Sequence, residues 1–304
     1  MNGSVPAHVG VLGAGRMGSG IAHAFLLAGS AVTIVDRDDA AADAGRARVA
    51  RAVALSVARG TTHEDETALM DRLETRTDVA AFAPAGLVVE AVPEDVDLKT
   101  DALRRVEDAI GPGAVLASNT SSISIDLLAG LLRRPAAFVG MHFFNPVPAS
   151  SLVEVVQGAA TAAVTTERAC AWVEAVRKTP IVVNDAPGFA SSRLGVAIGV
   201  EAIRMVEEGV AGVADVDAAM TLGYKHPVGP LRLTDLVGLD VRLGIAEYLE
   251  SRLGPRFAPP ALLRELVAAG HLGRKTGRGF YTWDDDGAGV PVEVSRLVGA
   301  GALR

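Results

Sequence analysis

A single cysteine, Cys170, stands in a chain of 304 residues. It cannot close an intramolecular disulfide and it excludes a cysteine-rich metal site; no metal is expected, and the pattern fits a reducing compartment. The window from Thr166 to Trp172 that holds it reads as helix, so the thiol is expected to be packed. An excess of positive charge is missing as well. Lys and Arg number 29 against 36 Asp and Glu, a formal net charge of −7, and no nucleic-acid surface is expected. Long apolar runs are also lacking. No stretch approaches the about 18 uncharged apolar residues that a membrane span needs. The N-terminus has no basic segment followed by a long apolar run, so no signal peptide is expected and the location is expected to be cytoplasmic. What the chain does have is 49% apolar residues, enough for a full core, in a length that suggests about two domains.

The stretch VGVLGAGRMG, Val9 to Gly18, runs from a β-branched strand pattern into Gly13, Gly15 and Gly18. An apolar helical pattern follows to Gly29, and AVTIVD from Ala31 to Asp36 is a second strand ending in an acid. The first glycine permits a tight turn, the second lets a pyrophosphate approach the backbone, and the third lets the helix pack on the strand. The helix start, with Arg16 and Met17 in the turn itself, offers free N–H groups and partial positive charge to phosphates. Asp36 falls where a dinucleotide-binding acid belongs, about twenty residues past the second glycine, and is expected to accept hydrogen bonds from the adenine ribose. That favours NAD over NADP, with the reservation that Arg37 next door is a guanidinium able to take a 2′-phosphate.

Residues 38 to 74 read as a helical excursion broken at Gly60-Thr61-Thr62, with a second helix from about His63 to Leu73. Its Arg46, Arg48, Arg51 and Arg59 are either a landing surface for an anionic group such as a coenzyme A phosphate or a solvated helix face. Strand patterns at Gly86 to Val92, Ala114 to Ser118 and Ala136 to Met141 alternate with helices, which indicates a parallel doubly wound sheet. Further strands are expected at Leu152 to Val156 and Ile181 to Val183, flanking a helix from about Thr165 to Arg177. From Pro187 on, helices dominate. The expected fold class is therefore α/β, an N-terminal Rossmann-type, mostly parallel sheet over 1–186 followed by an all-α C-terminal domain over 187–304. The apolar surface of SRLGVAIGV, Ser192 to Val200, suggests burial on every side, within the domain or against a second copy in a dimer.

Ligands of such sheets sit beyond the carboxyl ends of the strands. The glycine turn, Glu94, Ser121 and His142 all fall just past a strand end. His142 is followed twelve residues later by Glu154, and FFNPVPASS between them is long enough to reverse the chain. Glu154 can then return beside the imidazole, fix its tautomer and leave the other ring nitrogen to take a proton. It can equally be a solvent-facing strand residue. The other five histidines have no such neighbourhood.

These residues resemble the L-3-hydroxyacyl-CoA dehydrogenases, close to the short bacterial 3-hydroxybutyryl-CoA dehydrogenases. The resemblance covers almost the whole chain: GAGRMGSGIA at Gly13 to Ala22, EAVPED at Glu90 to Asp95 with Lys99, and SNTSS at Ser118 to Ser122. GMHFFNPVP at Gly140 to Pro148 leading to LVEVV is its most specific part, and Pro187-Gly188-Phe189, HPVGPL at His226 to Leu231 and GRKTGRGFY at Gly273 to Tyr281 complete it. The resemblance implies that His142 is the general base, Glu154 its orienting partner, and Ser121 a hydrogen-bond partner of the substrate oxygen. It implies that Glu94, Lys99 and Asn145 contact the NAD ribose or nicotinamide, with Asp36 on the adenosine ribose. It further implies an acyl-CoA substrate and a homodimer through the C-terminal domain.

Two departures stand out. Ser192 occupies the place where the family often has an asparagine before the arginine, so a direct contact to the reacting oxygen becomes a shorter or water-mediated one. Ser151 stands where many members have a lysine. These leave open the same chemistry on a carrier-protein-bound or free hydroxy acid. A non-catalytic NAD-binding protein has no physical need for the intact Ser121, His142 and Glu154 set.

Overall fold

The structure, a computed structural model, describes residues 5–293. The expected domain ranges reach residues 1–4 and 294–304, which lie outside the described residues. Chain contacts divide the protein into two compact units, with the division after Phe189.

The first unit follows the alternation of strand and helix patterns. β1 (His8–Leu12) runs into α1 (Arg16–Leu27) and β2 (Ala31–Val35), and α2 (Asp39–Ala58) and α3 (Glu66–Asp71) lead to β3 (Leu73–Arg76). β4 (Leu87–Glu90), α4 (Val96–Ala109), β5 (Val115–Ser118), α5 (Ile125–Ala129) and β6 (Phe138–Phe143) continue the winding. β7 (Leu152–Gln157), α6 (Ala163–Ala175) and β8 (Thr179–Asn184) close it. The sheet order is β3-β2-β1-β4-β5-β6-β7-β8. Every neighbouring pair is parallel except β6 and β7. The chain order reverses between β1 and β4, which is where such sheets hold their ligands.

The central strands β4, β5 and β6 are buried on both faces, and alternate side chains feed two cores. Val9 and Val11 join Ile21, Phe25, Val49 and Trp172 beneath α1, α2 and α6. Leu12 and Val88 join Leu103, Val106 and Ile125 beneath α4 and α5.

The helical excursion ends differently from the expectation. The helix anticipated to Leu73 stops at Asp71, and Leu73–Arg76 is the sheet's edge strand beside β2. Only Leu73 of LETR is buried, so four residues carry one apolar position, too few to declare a period of two. Arg46 is drawn into this edge, donating from Nη1 to the Leu73 carbonyl at 2.7 Å. Arg51 and Arg59 lie on the exposed side of α2.

The second unit is built from α7 (Ser191–Glu207), α8 (Val213–Ala218), α9 (Pro230–Val237), α10 (Leu239–Leu253) and α11 (Ala261–Ala268). A two-stranded antiparallel hairpin, β9 (Tyr281–Trp283) and β10 (Gly289–Pro291), adds strand to a unit expected to be wholly helical. Two buried carboxylates attach it. Asp235 accepts from the backbone N–H of Phe280 and Tyr281, both at 2.9 Å, and from Trp283 Nε1 at 2.8 Å. Asp217 accepts from the N–H of Leu231 and Arg232 and from the Tyr281 hydroxyl at 2.7 Å. The glycines of GRKTGRGFY make room for this. A methyl on Gly279 would stand 2.4 Å from Asp235 Oδ1, and one on Gly273 would stand 2.3 Å from the Asp235 carbonyl oxygen. Among the described residues no helix is long and apolar enough to cross a membrane.

Burial pushes the Asp235 carboxyl up, against the three donors that hold it. Asp235→Asn turns one acceptor into a donor that faces other donors. It is expected to destabilise the protein by about 2–4 kcal/mol, read as a fall in the urea midpoint; an unchanged midpoint would refute the role given to Asp235.

Candidate active site

The glycine turn at the β1–α1 junction gives each glycine a separate reason. Gly13 has φ of +101°, and a methyl there would stand 2.7 Å from the Ala91 carbonyl oxygen. A methyl on Gly18 would stand 1.8 Å from the Gly13 carbonyl oxygen, so the helix rests directly on the turn. A methyl on Gly15 would meet nothing within 4 Å. No packing in the chain requires a glycine at that position, and the open space beside it fits an approaching pyrophosphate. α1 begins with no side-chain cap and no acidic residue in its first turn, which leaves its N–H groups and partial positive charge for an anion. Arg16 is exposed and Met17 half-buried in that first turn.

Asp36 at the end of β2 accepts from the Ala14 N–H at 2.6 Å and from the Arg37 N–H at 2.7 Å. It is thus fixed across the turn with lone pairs to spare for ribose hydroxyls. Arg37 turns to Asp38, Nε to Oδ2 at 3.1 Å. The turn, its helix and its acid fit an NAD-type dinucleotide.

Beyond β4 and β5 lies a buried charge network. Lys99 of α4 is 1% exposed. Its Nζ sits 2.7 Å from Glu90 Oε1, 3.2 Å from the Val92 carbonyl oxygen and 3.4 Å from Glu94 Oε2. The ammonium thus donates to Glu90 and the Val92 carbonyl and lies within ion-pair distance of Glu94. Glu90 Oε2 accepts from the Ser118 hydroxyl at 2.5 Å.

Glu94 in turn holds the loop after β5. Its Oε1 accepts from the Thr120 hydroxyl at 2.6 Å and from the N–H groups of Ser121 and Ser122 at 2.9 and 3.0 Å, with both serine hydroxyls close by. Burial alone would raise the Glu94 carboxyl; the Lys99 charge and these donors outweigh it and hold the group below its ordinary value. Ser121 is thereby fixed. Asn119, one residue past β5, accepts from the Phe143 N–H at 2.8 Å and ties the serine loop to the end of β6.

His142 and Glu154 are direct partners across the antiparallel pair β6–β7. Nδ1 and Oε2 are 2.7 Å apart, with Glu154 fully buried and His142 nearly so. A carboxylate can only accept, so Nδ1 carries the proton, and in the neutral ring Nε2 is then the nitrogen with the lone pair. The imidazole lies 4.5 Å from the Phe144 ring and 5.9 Å from the Phe189 ring. Phe189 has φ of +48°, a strain of about 1 kcal/mol or more, held by its burial in the first unit's core.

Asn145 follows in an exposed loop whose Asn145–Pro146 bond is cis. Val147 fits over Gly20 of α1, where a methyl would stand 2.8 Å from the valine side chain. Lys178 donates to the carbonyls of Val147 and Ser150 at 2.6 and 2.5 Å. From the position just before β8 it anchors the loop that carries Asn145 and Ser151. Ser192 lies in the first turn of α7, in the second unit. Among the described residues no group of three or more metal-binding side chains gathers.

Residues 8–186 match the profile described as 3-hydroxyacyl-CoA dehydrogenase, NAD binding domain, and residues 188–283 that of the 3-hydroxyacyl-CoA dehydrogenase C-terminal domain. The chain is 43% identical over 281 residues to the 3-hydroxybutyryl-CoA dehydrogenase of Mycobacterium tuberculosis, covering 90% of this chain and 98% of that one. It is 42% identical over 275 residues to a probable 3-hydroxybutyryl-CoA dehydrogenase of Deinococcus radiodurans, covering 90% and 99%. The crystal structure of (S)-3-hydroxybutyryl-CoA dehydrogenase from Ralstonia eutropha superposes with a TM-score of 0.88 at 40% identity, over 92% of this chain and 100% of that chain.

Removing one partner of a buried ion pair strands the other. Lys99→Met leaves Glu90 uncompensated and is expected to cost about 3–5 kcal/mol, measured by thermal unfolding. A loss under about 1 kcal/mol would mean that the network is already satisfied without the ammonium.

Proposed function

This chain belongs to the 3-hydroxyacyl-CoA dehydrogenase family, and from that membership we propose that it interconverts an L-3-hydroxyacyl-CoA and the 3-oxoacyl-CoA, with 3-hydroxybutyryl-CoA as a short-chain substrate. It is an NAD-dependent oxidoreductase. The observation that carries the mechanism is the buried 2.7 Å contact between His142 Nδ1 and Glu154 Oε2 at the end of β6.

The glycine turn, α1 and Asp36 would hold NAD, which would supply the hydride acceptor. Nε2 of His142 takes the hydroxyl proton as the hydride leaves. Glu154 keeps the imidazole in the tautomer that makes Nε2 the base, and its charge stabilises the imidazolium that forms. Phe144 and Phe189 surround the ring with apolar surface, which strengthens that pairing. Ser121, fixed through Glu94, donates to the substrate oxygen. Ser192 offers a hydroxyl where the family often has an asparagine. The free N–H groups of α1 and the glycine turn take the pyrophosphate, and Asp36 takes the adenine ribose. With Arg37 engaged by Asp38, NAD is favoured over NADP.

The second unit exposes Leu194 and Ile198 on α7, Leu233, Leu236 and Val237 on α9, and Val241 on α10. We assign this apolar surface to a homodimer, in a cytoplasmic protein. Sedimentation showing only a 31.3 kDa species would reject the dimer.

NADH absorbance followed with acetoacetyl-CoA tests the chemistry. His142→Ala is expected to lower kcat by about 10²–10⁴-fold, Glu154→Gln by less, and NADH is expected to be used in preference to NADPH. Wild-type rates in His142→Ala would remove the base from the mechanism.

A further inference from the structure

The second unit contains a buried cation that no described residue answers. Arg242 of α10 is 4% exposed. No ion pair, hydrogen bond or ring contact meets its guanidinium among the described residues, and Nε is sealed without a partner. Burial lowers its pKa to about 10, which leaves it a cation at neutral pH and short of an anion. The other deeply buried charges behave differently. Lys99 meets Glu90, Glu107 accepts from the N–H groups of Arg133 and Arg134, and Asp217 and Asp235 each collect three donors.

The guanidinium lies along α7, and two glycines mark its place. A methyl on Gly195 would stand 3.4 Å from Nη1, and one on Gly199 would stand 3.5 Å from Nε and 3.2 Å from Thr234 Oγ1 of α9. Gly195 borders the exposed stripe of α7. Leu194, Ala197, Ile198 and Glu201 are exposed there, at the three- and four-residue spacings of one helix face. The cation therefore sits at the edge of the apolar surface assigned above to a homodimer. Glu201 is the acid of the stripe. Its side chain is 67% exposed, and among the described residues only Arg204 meets it, at 3.4 Å. Arg204 also donates to the Ala258 carbonyl at 2.7 Å. The acids of α10 nearby are already taken, Asp240 by Lys275 and Glu247 by Arg264.

We infer that Arg242 is completed by Glu201 of a second copy, across a twofold axis that crosses α7 between Ala197 and Ile198. The inference rests on the homodimer reading above and names the contact that fixes its register. A twofold axis sets the two α7 helices antiparallel, and residues equidistant from it face each other. Ala197 then meets Ile198, and Leu194 meets Glu201. Along the helix, Gly195 and Glu201 lie about 4 and 5 Å from the axis on opposite sides. The carboxylate of one copy therefore arrives at Gly195 of the other, where Nη1 lies, and the symmetry makes the contact twice. A planar guanidinium takes a carboxylate with two parallel hydrogen bonds. The apolar side chains supply buried area, which tolerates sliding, while the paired charges fit in one register only.

Sedimentation equilibrium of the full chain, with folding checked by circular dichroism, tests this. Glu201→Ala is expected to raise the dimer dissociation constant by about 30-fold or more. Glu201→Arg and Arg242→Glu each set like charges against each other at both contacts, and each is expected to sediment as a monomer. Mixed in equal amounts they are expected to form a heterodimer, because both contacts are then Arg against Glu again. If Arg242→Glu does not fold, Arg242→Met takes its place, and the mixture regains one contact of the two. Variants that dimerise as tightly as wild type overturn the inference and leave the homodimer reading standing, as does a mixture of folded variants that stays monomeric. A rise in Tm with inorganic phosphate, kept by Glu201→Ala and lost in Arg242→Met, would also overturn it by assigning the cation to a small anion. A monomeric wild type would defeat the homodimer reading, and this inference with it.

Discussion

An ammonium sealed beneath the ends of β4 and β5 must be neutralised, and much of the first unit's site follows from how that is done. Lys99 takes Glu90 on one side and Glu94 on the other. Glu90 is thereby able to hold Ser118 at the end of β5. Glu94 is kept ionised and collects the donors of Thr120, Ser121 and Ser122. One buried charge thus fixes the ends of two strands and the serine loop beyond them. Asn119 extends the order to β6, where the imidazole sits. Low dielectric strengthens each of these contacts, and it makes each of them expensive to lose.

The dyad rests on a different constraint. β6 and β7 are the one antiparallel pair in an otherwise parallel sheet. A parallel neighbour would need a crossover, and Glu154 would then arrive from a distant part of the chain. The short reversal through Asn145 and Val147 puts the carboxylate opposite the imidazole by register alone. Lys178 and Gly20 hold that reversal from two sides, one by hydrogen bonds to its carbonyls and the other by leaving space for Val147.

Features governed by local chemistry were readable from the sequence. The glycine turn, the acid after β2 and the return of Glu154 beside His142 depend on spacings of a few to about twenty residues, and turn chemistry fixes them. Features governed by distant burial were not. β3 carries a single buried residue, so its strand character comes from β2 beside it. Lys99 was singled out only through the family resemblance; nothing in the spacing of α4 says that it is buried against Glu90. The role of Asp235 depends on donors 45 to 48 residues away. Phe189 appeared in a recognisable tripeptide, yet nothing in Pro187-Gly188-Phe189 says that its ring will stand beside the imidazole.

Gly15 has a consequence for anyone improving the protein. Its φ of −61° suits any residue, and the fold leaves it open space on every side. Replacing such a glycine restricts the unfolded chain and stabilises the folded one by about 0.4–1 kcal/mol. A screen for heat resistance run on the bare polypeptide would therefore reward a substitution that fills the space proposed here for the pyrophosphate. Thermal tolerance and usefulness would part company at that one position, and a selection scheme would need cofactor present throughout to keep them together.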